Sequence, residues 1–411
     1  MTFTKDEKIV LIITAVYTLA ATMATTFINV YLFDYTNSYI VLNIYQMIRL
    51  GLVGIVAVIS AKLSYRLPMS VTLTIGLACI TMSVMVLLIL QERVADNMLY
   101  VYLIAFIWGS GEGFFWISLN TLNQLITSPI TRGNYLGVNG AVTNIATILA
   151  PLFSAQILAM YTIEIDGYYM MFKFVIVMFI IISLLSMTIK SPIEKRTFSV
   201  IKTILNGRYD LQWRYVIRTQ FCWGVRDAAV MSLTGILIYQ AVGNGTAYGR
   251  LLAVFAIVAT VSNYIVGKIV KKSNRIFYLA IGATGMFISG MALVIIPGIA
   301  GAITHGMLAN LFFAFMSIPY SIIAMNIIGD YMKTENVIGR TTCREVMTAI
   351  GRVFGLAILV LIVTLFDGTT GLKAALVILY SFNLLIALST IDYNHKKHPK
   401  TEYDTQEKIA L

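Results

Sequence analysis

Apolar stretches of about twenty residues, the length a helix needs to cross a hydrocarbon core of about 30 Å, recur along the whole of this chain. In lipid every backbone N–H and C=O must find its partner within the protein, so such a stretch becomes a helix. Twelve are predicted: Ile9 to Phe33, Val41 to Leu63, Val71 to Leu90, Met98 to Leu122, Leu136 to Tyr161, Tyr168 to Ile189, Tyr215 to Tyr239, Leu251 to Val270, Ile276 to Ile296, Ile303 to Ile328, Val346 to Phe366 and Leu372 to Ile391. With 58% hydrophobic residues, 12% charged residues and a mean hydropathy of +0.82, a soluble globule is excluded. The expected fold class is an all-α polytopic membrane protein.

The helices come in two sets. A shift of 206 positions lays Ala61-Lys62-Leu63 on Gly267-Lys268-Ile269, and the same shift pairs Gly76 with Gly282, Phe106 with Phe312, Asn120 with Asn326 and Gly133 with Gly339. Low identity over a constant shift points to two copies of one architecture, a plan used by transporters. The expected division is residues 1–190 and 211–395 as six-helix bundles, 191–210 as a basic linker and 396–411 as a tail.

Basic residues predict orientation, because short cytoplasmic loops retain Lys and Arg. One side collects Lys5, Lys8, Lys62, Arg66, Arg132, Lys190, Lys195, Arg196, Lys202, Arg208, Lys268, Lys271, Lys272, Arg275, Lys333, Arg340, Lys396, Lys397 and Lys400, while the other has little beyond Arg93 and Lys373. Both termini and the middle loop are therefore expected in the cytoplasm, in a cell or inner membrane, with the linker cations near anionic headgroups. Topology accounts for the net charge of +11, and no basic stripe interleaved with aromatics marks a nucleic-acid partner. The first stretch is too long for a secretion signal. Cys79, Cys222 and Cys343 lack paired spacing, and His305, His395 and His398 form no ligand cluster, so no disulfide, metal or other cofactor is implied. No nucleotide loop or nucleophile elbow is present, which argues against an enzyme or a primary pump. Gly109, Gly111 and Gly113, and Gly351 with Gly355, are read as close helix contacts.

Charges inside the spans carry most of the functional information. Arg49, Glu112, Arg226, Asp227 and Arg352 lie well within them. At roughly 3 kcal/mol each at mid-membrane they cannot all face lipid unpaired, so a water-accessible cavity between the two repeats is expected. Glu112 and Asp227 are the candidate proton carriers, Glu112 first, with a structural ion pair to a neighbouring arginine as the competing role. Arg226 and Asp227 are adjacent, point about 100° apart on a helix, and are each expected to find a partner elsewhere. Arg49 and Arg352 are candidate partners or anion ligands, with Arg352 expected to snorkel toward the surface. Phe115, Trp116 and Trp223 are candidate cavity aromatics among rings that mostly pack. Asn120 is included as a candidate ligand, although Asn120 and Asn326 suit helix-to-helix hydrogen bonds better.

Particular loops resemble a known family. Ala61-Lys-Leu-Ser-Tyr65-Arg66-Leu-Pro68 stands where the major facilitator superfamily has Gly-x-x-x-Asp-Arg-x-Gly-Arg-Arg, and Gly267-Lys-Ile-Val-Lys271-Lys272-Ser-Asn274-Arg275 is the second-half copy. Basic positions survive and the acids are lost. Ala146-Thr-Ile-Leu-Ala150-Pro151-Leu-Phe-Ser154-Ala155 resembles that family's antiporter signature with each glycine replaced by another small residue. The resemblance implies twelve helices in two pseudo-symmetric bundles, alternating access, a monomer, and gating roles for Lys62, Arg66, Pro151, Gly267 and Lys272. The arginine of the family's proton-coupling signature would fall on Gly109 and its Gln-Gly on Glu112-Gly113, so Glu112 is the candidate to take over that duty.

The reading that follows is a secondary transporter exporting an amphipathic small molecule in exchange for protons. A lipid or glycolipid flippase would instead need a wide cavity open to the bilayer. An uptake symporter for a small polar or anionic solute would need a narrow cavity richer in hydrogen-bonding groups than in aromatics. A receptor or scaffold would hold its embedded charges in locked pairs with no solvent path.

Overall fold

The computed structural model describes residues 3–127, 132–190, 199–208, 210–271, 273–330, 337–366 and 368–394. The helices are α1 (Lys5–Thr36), α2 (Tyr39–Leu63), α3 (Met69–Leu90), α4 (Met98–Ile126), α5 (Arg132–Ala159), α6 (Glu164–Ser186), α7 (Val200–Leu205), α8 (Leu211–Ala228), α9 (Gly235–Val242), α10 (Gly245–Ile269), α11 (Arg275–Ile295), α12 (Gly298–Asp330), α13 (Val337–Leu365) and α14 (Gly368–Asn394). A π-helical segment, Ala229–Thr234, joins α8 to α9 in one continuous span. Among the described residues twelve spans are long and apolar enough to cross a membrane, and each falls on a predicted stretch. The chain is a multi-pass membrane protein. Residues 191–198 and 209 of the predicted linker and the tail 396–411 lie outside the described residues, as does Lys272.

Polar residues at stretch boundaries start the helices. Thr4 and Glu7 form a reciprocal capping box on α1, and Ser38, Asn97, Asp210 and Asn244 accept backbone N–H bonds at the starts of α2, α4, α8 and α10. The repeat is visible at this level. Asn37 ends α1 and Gly243 ends α9, both in left-handed backbone with φ of 43° and 91°, and each is followed by its N-cap, Ser38 or Asn244. These turns are related by the same 206-residue shift.

Packing repeats in the same way. In the first half α1 lies on α5 and α6, α3 on α4 and α6, and α2 on α4; six spans later α8 lies on α13 and α14, α11 on α12 and α14, and α10 on α12. Gly76 and Gly282 do equivalent work. A Cβ on Gly76 would sit 2.7 Å from the backbone N of Phe115, and one on Gly282 would sit 2.8 Å from the Cα of Met316, so α3 with α4 and α11 with α12 approach at backbone distance. The halves meet where α2 crosses α13 and α5 crosses α10. Gly51 and Gly54 face Val353 and Ala349 at the first crossing; Gly249 faces Ala155 and the Pro151 carbonyl at the second.

Candidate functional site

Asn43, Gln46 and Arg49 follow one another at intervals of three on α2, which puts them on one helix face. All three are buried. Gly109 lets α4 touch the α2 backbone at Arg49, and one turn along α4 Glu112 meets the Arg49 side chain. The contact is bidentate: Arg49 Nη2 donates to Glu112 Oε1 at 2.6 Å and Nε donates to Oε2 at 2.9 Å. Their side chains are 7% and 8% exposed. The Arg49 guanidinium also lies 5.4 Å from the Trp108 ring centre.

From this pair a hydrogen-bonded chain crosses between the halves. Arg49 Nη1 donates to Gln46 Oε1 at 3.3 Å; Gln46 Nε2 donates to Asn29 Oδ1 at 2.7 Å and to the Met231 carbonyl at 3.2 Å. Asn29 Nδ2 donates to the same carbonyl at 3.0 Å. Met231 lies in the π-helical segment, where the widened turn disturbs the ordinary ladder of carbonyl bonds, and two side chains of the first half cap its oxygen. Ser232, the next residue, donates to Asn43 Oδ1. Nearer the α1–α2 turn, Tyr39 donates to Gln240 Oε1 at 2.7 Å and Tyr239 to Asp34 Oδ2 at 3.1 Å. These bonds tie the halves together toward the end at which α1 finishes.

A cavity of about 210 Å³ lies beside this chain, with walls from both halves. Thr25, Thr26, Asn29 and Arg49 contribute polar groups from the first, Ser232 and Tyr248 from the second. Val30, Val230, Met231 and Ile236 supply apolar surface, and Tyr248 is the one aromatic among the described lining residues. The volume falls below the range of about 300–1,000 Å³ common for drug-sized ligands.

A second charge cluster sits in the other half. Asp227 Oδ2 accepts from Arg352 Nε at 3.1 Å and Nη2 at 2.8 Å, while Arg226 Nη1 lies 3.3 Å from Asp227 Oδ1. Arg352 therefore does not snorkel. Gly224 and Gly351 bring α8 and α13 together, with a Cβ on Gly224 only 3.0 Å from the Arg352 backbone N, which puts the Asp227 carboxylate within reach of the Arg352 side chain. Arg226 and Asp227, expected to find separate partners, touch each other and share the cluster. The Arg226 guanidinium is 5.1 Å from the Trp223 ring centre and 5.2 Å from that of Phe313, and its Nε and Nη2 are buried without a hydrogen-bond partner among the described residues.

Other predicted residues are distributed differently. Phe115 is fully buried and stacked on Tyr17 at 3.6 Å, so it is a packing residue; Trp116, 38% exposed, packs edge-on to Tyr17. Asn120 is half-buried, Asn326 is exposed, and neither side chain makes a hydrogen bond among the described residues. Lys62, Arg66 and Gly267 are exposed at the α2–α3 and α10–α11 ends, whereas Pro151 is buried at the α5–α10 crossing. Asn29, Asn43, Gln46, Ser232 and Tyr248 were not anticipated. The three-residue spacing of Asn43, Gln46 and Arg49 was the available signal.

Solved transporters share this architecture. The D-xylose-proton symporter superposes with a TM-score of 0.71 at 13% identity, covering 95% of this chain and 97% of that one. The nucleoside transporter NupG gives 0.68 at 9% identity, covering 96% and 100%. The E. coli fucose:proton symporter FucP gives 0.63 at 14%, covering 93% and 97%. In sequence, an uncharacterized protein of Bacillus subtilis (strain 168), YqgE, is 23% identical over 99% of this chain and 95% of its own length. The family model described as Major Facilitator Superfamily matches residues 10–326, more than three quarters of the chain, and with the twelve spans this places the protein in that superfamily as a membrane transporter of the secondary kind.

Proposed function

We propose that this transporter carries a small polar solute, coupled to protons, by alternating access of the cavity between its halves. The observation that carries the reading is the lining of that cavity: Thr25, Thr26, Asn29, Arg49 and Ser232 around 210 Å³, with Tyr248 as its aromatic. Such a site favours hydrogen-bonded recognition over the stacking surface an amphipathic substrate would use. Solved neighbours named as proton symporters for sugars support the same reading. The bodies that rock are residues 1–190 and 211–395, with the linker and both termini in the cytoplasm and the protein working as a monomer.

Coupling follows from Glu112. A proton on its carboxyl removes the charge that holds Arg49, and Arg49 in turn orients Gln46 against the π-helical segment of the other half. Protonation thus loosens a contact that spans the two halves. The test is reconstitution into liposomes loaded with a pH-sensitive dye, under an imposed pH gradient, with sugars, nucleosides, small carboxylates, cationic amphiphiles and labelled lipids offered in turn. Proton flux driven by a small polar solute supports the reading, and its direction assigns uptake or export. Flux with amphiphiles alone would restore drug-like export, and lipid crossing without proton movement would establish a flippase.

A further inference from the structure

Five embedded charges do not cancel. Arg49, Arg226 and Arg352 face Glu112 and Asp227, which leaves one positive charge in excess among these five. Hydrogen bonding locates the excess. Arg49 spends its Nε–Nη2 edge on Glu112, and Arg352 spends the same edge on Asp227. Among the described residues Arg226 touches Asp227 only through Nη1, and its Nε–Nη2 edge is left with no hydrogen-bond partner although its side chain is 4% exposed.

We propose that the Nε–Nη2 edge of Arg226 is the anchor for the solute, which carries one carboxylate. This rests on the transporter reading and names its substrate class. In this protein the same edge of two other arginines takes a carboxylate, Arg49 through both oxygens of Glu112 and Arg352 through Oδ2 of Asp227, and a planar two-oxygen group matches the guanidinium fork. The Trp223 and Phe313 rings lie against the guanidinium, and such contacts leave its in-plane donors free for a ligand. Val230, in the cavity wall, is one helical turn beyond Arg226 on the same span, so the Arg226 backbone lies about 5 Å along the helix from that lining residue. Charge sets the valence. A single carboxylate neutralises the cluster, whereas a phosphate monoester with two charges would leave a buried excess of the opposite sign.

The experiment uses the full chain in nanodiscs and compares small acids with their neutral amides, lactate with lactamide and glucuronate with glucuronamide, by calorimetry and by liposome flux. The wild type is expected to favour an acid over its amide by at least thirtyfold, Arg226→Gln to reduce that preference to below threefold, and Arg226→Lys, which keeps charge but not the fork, to fall between. Trp223 emission reports independently of any change at Arg226: an acid should alter it in the wild type, and Trp223→Phe should remove that signal. Equal transport of acids and amides overturns the anion anchor and leaves the transporter standing. Acid preference that survives in a folded Arg226→Gln protein also overturns it. Absence of flux with every solute, sugars and nucleosides included, would sink the transporter reading itself.

Discussion

Replacing Glu112 with Gln tests the arrangement at its most buried point. The carboxylate accepts two charge-assisted bonds from Arg49, at 2.6 and 2.9 Å, between side chains 7% and 8% exposed. Removing one partner of a buried ion pair costs about 3–5 kcal/mol, because the other charge stays in low dielectric. The amide of Gln keeps one acceptor oxygen and recovers about 1 kcal/mol of that, so Glu112→Gln should destabilise by about 2–4 kcal/mol. Arg49→Gln strands the carboxylate in the same way and should cost as much. The double variant leaves two neutral amides able to bond each other, so the two losses should fall short of additive by at least about 2 kcal/mol. Denaturant unfolding of the purified protein in mixed micelles provides the measurement, with Trp108 beside Arg49 as a local fluorophore. Additive effects, or single losses under about 1 kcal/mol, would refute the buried pair. In the flux assay Glu112→Gln should abolish pH-driven transport, and refolded protein that still couples to protons would remove Glu112 from the mechanism.

Other perturbations read separate parts of the structure. Gly109→Ala drives a Cβ into the Arg49 backbone, 2.8 Å from its carbonyl carbon, and should cost about 1–3 kcal/mol by thermal unfolding; Gly140→Ala, with nothing within 4 Å, should be neutral or stabilising, and equal losses at both sites would discredit the helix-crossing argument. Gln46→Ala removes the bond to the Met231 carbonyl that crosses between the halves, together with the bonds to Asn29 and from Arg49 that brace it, and should loosen that end by about 1–2 kcal/mol. Spin labels at Asn37 and Gly243 should then show a broader, longer distance distribution, and an unchanged one would deny Gln46 a role in holding the halves. Asp227→Asn should destabilise more than Arg352→Gln, since it strands two arginines while the latter leaves Asp227 beside Arg226; the reverse order of melting temperatures would contradict the cluster.

Composition and periodicity made the spans legible because lipid imposes one backbone solution on an apolar stretch. The repeat was legible for the same reason: Gly76 and Gly282, kept at a fixed shift, hold equivalent helix crossings. Embedded charges could be found by their cost but not paired. Glu112 is 63 residues from Arg49, and only the α2–α4 approach through Gly109 shows which acid each arginine meets. Arg352 was misjudged because its place near a helix end suggested the surface, whereas Gly224 and Gly351 bring α8 within reach. Neutral amides such as Asn29 and Gln46 add little transfer cost and so carried little signal. The π-helical segment had none, being stabilised by side chains of the other half.

The two halves share a helix plan but divide the chemistry. Under the 206-residue shift Arg49 falls on Phe255, Glu112 on Ile318, Arg226 on Ala20, Asp227 on Ala21 and Arg352 on Ala146. No embedded charge has a charged counterpart, so each cluster belongs to one half alone. The first half carries a balanced pair and the second carries the unbalanced cation. Their link is the π-helical segment, which starts two residues after Asp227 and presents the Met231 carbonyl to Gln46 and Asn29. On the proposed reading a ligand at Arg226 would perturb the base of that segment and a proton on Glu112 its cap, so both events would act on one element. Solute and proton would then bias the same equilibrium between the halves without touching each other, which is the thermodynamic requirement for coupled transport.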